Sequence, residues 1–107
     1  MPSRFAYIWQ YTIKPSEKVR FLEAYAPGGE WDRLFGRDLA YLKTTLIQDC
    51  DDENRYVTID YWKSREDRDS FRDRYSGEFE ELDRQCESYT EYEVFLGDFI
   101  EVVDIAA

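Results

Sequence analysis

Residues 5–13 alternate with a period of two: Phe5, Tyr7, Trp9 and Tyr11 share one side, and Ala6, Ile8 and Gln10 the other. With its aromatic and β-branched content, this alternation predicts a first strand over Phe5–Ile13. Pro15 and Ser16 end it, and Ser16 is placed to cap a helix that starts at Glu17. Val19, Leu22 and Ala26 recur at helical spacing, with Phe21 and Tyr25 widening the same apolar stripe. Pro27-Gly28-Gly29 breaks that helix. Residues Glu30–Phe35 resume it for a turn or two before Gly36 stops it. Trp31, Leu34 and Phe35 are expected to press this short segment against the body of the domain.

Tyr41–Asp49 predicts a second strand, with Leu42, Thr44 and Leu46 on one face. The acidic run Asp49–Asn54 reads as a solvated turn, which makes Arg55–Trp62 an antiparallel third strand. Ser64 is the expected N-cap of a long second helix, with Asp67 completing a weaker form of the capping box. Phe71, Tyr75, Phe79, Leu82 and Cys86 form its apolar stripe, flanked by Arg68, Asp69, Arg72 and Asp73. A fourth strand runs from about Tyr89 through Leu96, and residues 99–105 extend it or make a tail strand. The order β-α-β-β-α-β predicts an α+β, ferredoxin-like fold, with two helices over one face of a four-stranded antiparallel sheet. Residues 1–107 are expected to form a single domain. The other sheet face keeps large side chains that a lone chain would expose. Covering it with the same face of a second copy predicts a homodimer; the alternative is a monomer that tolerates scattered surface aromatics.

Composition and charge refine this outline. Nine Tyr, seven Phe and three Trp among 107 residues suit a core, a subunit interface or a pocket for a flat aromatic small molecule. A formal charge of −10 repels polyphosphate, so nucleic acid is not an expected partner. No stretch approaches a membrane span and the start does not resemble a secretion signal, so no membrane partner is expected. Cys50 and Cys86 are too few for a disulfide scaffold and read as reduced thiols of a cytoplasmic protein. The absence of histidine removes the commonest tunable base and metal ligand at neutral pH. Asp49, Asp51, Asp52 and Glu53 lack the alternation and fixed glycine of a calcium loop, and no metal is expected. Pro27-Gly-Gly29 is followed by an acid instead of a lysine, unlike a phosphate loop.

Three stretches carry a family resemblance: Pro27-Gly-Gly-Glu-Trp-Asp-Arg-Leu-Phe35, Tyr56-Val-Thr-Ile-Asp-Tyr-Trp-Lys-Ser64 and Phe71-Arg-Asp-Arg-Tyr75. The chain resembles the antibiotic biosynthesis monooxygenase-like family from Phe5 to about Val102. The strand-Trp-x-Ser-helix junction is the most recognisable piece. The resemblance implies a dimeric α+β barrel. Members include cofactor-free oxygenases of polycyclic phenols, haem-degrading enzymes, isomerase-like relatives and proteins without an established activity. Trp62 matches a tryptophan that borders the substrate cavity in oxygenase members. The haem-degrading members carry a ligating histidine near the position of Phe71–Tyr75 and an asparagine near the first strand. Here the helix has no histidine and the only asparagine is Asn54, which argues against haem degradation.

A cofactor-free oxygenase must stabilise a phenolate, admit oxygen and exclude bulk water. Trp62, Asp60 and Arg72 are the catalytic candidates. Trp9, Tyr11, Trp31, Arg37, Phe71 and Tyr75 are the pocket candidates. Each aromatic has a packing role as its alternative. Asp60 lies inside a strand, where a buried carboxylate needs a partner such as Arg37 or Arg72. Two functions follow: a cofactor-free oxidoreductase acting on a flat phenolic compound, or a dimeric binding or accessory protein without turnover.

Overall fold

The computed structural model describes residues 3–102. Strand β1 (Phe5–Ile13) is followed by a 3-10 turn at Pro15–Glu17, then by helices α1 (Lys18–Tyr25) and α2 (Glu30–Phe35). Strands β2 (Tyr41–Gln48) and β3 (Arg55–Trp62) form a hairpin. Helices α3 (Arg65–Arg74) and α4 (Ser76–Cys86), with a 3-10 turn at Glu87–Tyr89, lead into β4 (Thr90–Ile100). The sheet order is β2-β3-β1-β4 and every pairing is antiparallel, as the ferredoxin-like prediction requires. Residues 103–105 of the expected tail strand lie outside the described residues. Among the described residues, no helix is long and apolar enough to cross a membrane.

The alternation in β1 works as expected. Phe5, Tyr7, Tyr11 and Ile13 are buried beneath the helices, and Phe21, Ala24 and Tyr25 of α1 meet them from above. Tyr11 packs on Phe21 and Tyr25 at ring separations of 5.5 and 4.8 Å. Two details of the predicted first helix need correction. Ser16 is no cap: Pro15, with its preset φ, makes Ser16 part of a 3-10 turn, and α1 starts at Lys18 without a side-chain cap. Val19 also leaves the stripe at 69% exposure, because α1 buries the face of Phe21, Ala24 and Tyr25 and Val19 lies on the opposite side. In β2, the register slips between Tyr41 and Lys43, so Leu42 becomes the unpaired residue of a bulge and drops out of the face shared by Thr44 and Leu46.

Ser64 caps α3 as predicted, its hydroxyl oxygen accepting the Asp67 backbone N–H at 3.1 Å. The long second helix, however, is two. Tyr75 leaves helical geometry (φ −113°, ψ 29°), and the weak helix formers Ser76 and Gly77 follow it. The predicted stripe still points inward across the break, with Phe71, Leu82 and Cys86 buried and Tyr75 and Phe79 packed at their margin.

Arg68, expected on a solvated flank, is 6% exposed. Its guanidinium lies 4.5 Å above the Tyr7 ring and 5.0 Å above that of Phe5. It donates two hydrogen bonds to Asp98 of β4, at 2.9 and 3.0 Å. Asp98 faces Arg68 only because β4 bulges. Phe95 pairs with Trp9 and Gly97 with Ile8, so Leu96 is skipped, and Gly97 adopts φ 140°. Beyond the bulge, Asp98 pairs with Tyr7 on the helix side and Phe99 with Ala6 on the other.

That other side is apolar, as anticipated. Ile8, Val57, Ile59 and Tyr61 are half-buried there, and Ile47, Tyr92, Val94 and Phe99 are exposed.

The Arg68–Asp98 pair should be a major element of stability. Arg68→Ala leaves Asp98 without its bidentate donor and uncovers two rings. Urea denaturation is expected to show a loss of about 3 kcal/mol. A loss under about 0.5 kcal/mol would show the pair to be energetically idle.

Candidate functional site

Between the helices and the inner face of the sheet lies a cavity of about 240 Å³. Its cause is a step in side-chain size. Strand β1 presents the rings of Tyr7, Trp9 and Tyr11, while β2 and β3 present only Thr44, Thr58 and Asp60. Trp31 and Phe35 of α2 and Tyr25 of α1 line the space from the helix side. Arg72 of α3, Phe79 and Asp83 of α4 and Glu93 of β4 complete the lining.

Asp60 is the buried acid of this cavity, at 6% exposure. Neither Arg37 nor Arg72 pairs with it, contrary to expectation. Thr44 directly across the hairpin donates its hydroxyl to Asp60 Oδ1 at 2.5 Å. Burial pushes the Asp60 carboxyl up to about 7, against the Thr44 hydrogen bond and with help from the charge of Asp32. Behind Thr44, the hydroxyl of Tyr41 lies 2.5 Å from Thr44 Oγ1 and 2.6 Å from Asp32 Oδ1. Burial, then the bond to Asp32, raises the Tyr41 hydroxyl well above the ordinary tyrosine value.

Arg72 supplies the positive charge. Its Nη2 donates to the Tyr7 hydroxyl at 2.8 Å, and its guanidinium lies 4.9 Å above the Phe79 ring. Bond and ring together hold the cation at the cavity wall. Burial raises the Tyr7 hydroxyl despite this neighbour. Burial also pushes Asp83 and Glu93 upward, and nearby acids add to it: Glu87 for Asp83, and Asp83 for Glu93.

Of the residues singled out in the sequence, Trp9, Tyr11, Trp31, Asp60 and Arg72 line this space. Trp62, Phe71, Tyr75 and Arg37 do not. Trp62 is 1% exposed and wedged among Phe35, Tyr41 and Phe71 at ring separations of 5.3 to 5.6 Å. Phe71 is fully buried and Tyr75 stacks on it at 4.9 Å, so both serve the core. Arg37 sits outside, 3.4 Å from Glu78. The sequence reading missed Thr44, Thr58, Tyr7, Tyr41 and Asp32. Thr58 and Asp60 did carry a signal: two small polar residues between Tyr56 and Trp62 on the inward face of an otherwise apolar strand. No comparable pattern marks Asp32. Among the described residues, no group of three potential ligands is placed to hold a metal ion.

No protein-family model matches the chain, and none of the curated proteins matches it. Solved structures do. A mutant form of SnoaB, a cofactor-independent oxygenase from Streptomyces nogalater, is 15% identical over 98% of this chain and 99% of its own, with a TM-score of 0.78. A candidate antibiotic biosynthesis monooxygenase from Bordetella bronchiseptica is 16% identical over 94% of this chain and 99% of its own, at 0.77. A protein of unknown function from Bacteroides thetaiotaomicron is 9% identical over 94% of this chain and 100% of its own, at 0.73. The chain therefore has the α+β, ferredoxin-like fold of the antibiotic biosynthesis monooxygenase structures along nearly its whole length.

The buried carboxyl sets a pH dependence. Unfolded, Asp60 has the ordinary value of roughly 3.9; folded, about 7. The fold therefore binds this proton more tightly, and the stability it contributes is full below about pH 4 and falls as pH rises to about 7. Urea denaturation should show a decline through this interval that is steeper than in Asp60→Asn, by up to about 4 kcal/mol. Parallel pH profiles for the two proteins would mean that Asp60 is already ionised in the fold.

Proposed function

We propose that the protein is a cofactor-free monooxygenase that oxidises a small phenolic compound in the cavity above Asp60. One observation carries the reading: a buried carboxyl raised to about 7 and an arginine line the same ring-walled cavity. The fold shared with a cofactor-independent oxygenase adds support. At about 240 Å³, the cavity is below the roughly 300–1,000 Å³ of pockets for drug-sized ligands, which favours a compound of one or two rings.

The ionised form of Asp60 takes the phenolic proton. Arg72 and the Tyr7 hydroxyl, already joined at 2.8 Å, stabilise the oxyanion that remains. The electron-rich ring then reduces O2. In the balanced reaction the phenol and O2 give a quinone and water: one oxygen atom becomes the second carbonyl. The other leaves with the hydroxyl hydrogen and the displaced ring hydrogen. Trp31, Phe35 and Tyr25 keep bulk water from the ring.

The active unit we propose is a homodimer formed through the outer sheet face, where Val94, Phe99 and Ile47 are exposed beside Ile59 and Tyr61. Sedimentation at micromolar concentration is expected to give about 26 kDa, twice the 12.9 kDa chain. A species with the mass of one chain would remove the dimer.

Oxygen uptake over a panel of phenols and naphthols tests the chemistry. At least one should be consumed, with kcat/KM rising through about pH 7 as Asp60 ionises. In Asp60→Asn, kcat is expected to fall by roughly 10²–10⁴ and the rising limb to vanish. Tight binding of a phenol without uptake would instead make the protein a binding or accessory module.

A further inference from the structure

We propose that Asp60, Thr44, Tyr41 and Asp32 form a proton relay, in which the two carboxyl groups share one proton and pass it between the cavity and the outer side of α2. Four oxygens stand in a row: Asp60 Oδ1, Thr44 Oγ1, the Tyr41 hydroxyl and Asp32 Oδ1, with successive separations of 2.5, 2.5 and 2.6 Å. Each contact is short enough to require a proton between the oxygens. The two hydroxyls own one hydrogen each. If Thr44 donates to Asp60 and Tyr41 donates to Asp32, the middle contact is left with lone pairs facing each other at 2.5 Å. A third hydrogen is needed, and only a carboxyl group can hold it.

Two arrangements satisfy all three contacts. With the proton on Asp60, its O–H donates to Thr44, Thr44 to Tyr41, and Tyr41 to ionised Asp32. With the proton on Asp32, every hydrogen bond reverses and Asp60 carries the charge. Moving three hydrogens by one bond each interconverts the two states and makes no free hydroxide or hydronium. The ends differ in access. Asp60 lines the cavity and is buried, whereas Asp32 is half-buried and its Oδ2 accepts the exposed Gly28 N–H at 2.6 Å. Neither Tyr41 nor Asp32 touches the cavity. The row is thus a path through the wall.

The surroundings leave the path undisturbed. Lining the same cavity as Asp60 are Arg72 from α3, Asp83 from α4, Glu93 from β4, Tyr11 from β1, Tyr25 from α1, and Tyr7, its cross-strand partner on β1. Tyr7 is taken by Arg72, and Tyr11 accepts from Thr58 at 3.5 Å. Tyr41 is packed between Phe35 and Trp62, which offer no competing acceptor. The elevated Asp60 and Tyr41 groups agree with a proton retained in the row. The part this relay plays in turnover, returning to water the proton taken from a phenol, rests on the oxygenase reading. The shared proton does not.

The test is a pH titration of the carboxyl carbons by 13C NMR. In the unaltered protein the Asp60 and Asp32 resonances should move together, each with two inflections, because one proton is divided between them. Tyr41→Phe retains the ring and deletes the central oxygen, and each resonance should then titrate alone. Thr44→Val cuts the same path should the first variant fail to fold. Independent single inflections in the unaltered protein would overturn the relay. Where a phenol is oxidised, Tyr41→Phe should lower kcat about tenfold at unchanged KM, less than loss of the base itself. An unchanged kcat would remove the relay from turnover. Coupled titration without oxygen uptake from any phenol would leave the relay standing and remove the oxygenase reading.

Discussion

Rings pack tightly only against surfaces that rise to meet them, and the inner face of this sheet does so on one side only. Tyr7, Trp9 and Tyr11 stand high on β1, while Thr44, Thr58 and Asp60 lie low on the strands beside it. Helices α1 and α2 rest on the rings and bridge the lower ground. The resulting space is therefore built into strand composition, and the aromatic side chains above it are supported from the β1 side. An interior void normally costs stability, so a polar, roomy one at this position suggests use.

Charge inside that space is arranged with similar economy. Arg68 and Arg72 lie one helical turn apart on α3, yet they have different fates. Arg68 is committed to Asp98 and to the faces of Phe5 and Tyr7, which closes the end of the fold near β4. Arg72 has no carboxylate within salt-bridge distance among the described residues and keeps its guanidinium at the cavity wall, steadied by the Tyr7 hydroxyl. Asp60 is complementary. It is a carboxyl without a cation, hydrogen-bonded to the Thr44 hydroxyl, and burial keeps it close to its neutral form. A carboxyl and an arginine that line one cavity without pairing are the arrangement that the proposed acid–base chemistry uses.

The strands were legible in the sequence because their periodicity reports burial directly: β1 and β3 fall where the alternation and the flanking turn residues put them. Helix details were less so. Pro15 converted the expected cap into a 3-10 turn, and the one local sign of the break at Tyr75, the weak helix formers Ser76 and Gly77, lies inside a continuous apolar stripe that masks it. The site was half visible. Large residues were taken for the cavity wall, yet Trp62 and Phe71 fill the core by virtue of their size, and the space opens over Thr44 and Thr58. Arg68 looked solvated because a charged residue beside other charges normally is. Its burial depends on a carboxylate thirty residues away in sequence, and on a change of register in β4.

That change of register has a reach beyond the ion pair. Were Leu96 to take its regular place opposite Ile8, Gly97 would sit under Tyr7, Asp98 would turn to the outer surface and Phe99 would swing inward. The molecule would then hold an unmatched cation inside and display a carboxylate where it now offers a ring. Gly97, at φ 140°, is what makes the observed choice accessible, since a side chain at that position would meet both backbone strain and the Phe99 ring at 3.2 Å. One glycine thus decides which end-of-strand residues belong to the interior and which to the face available for association.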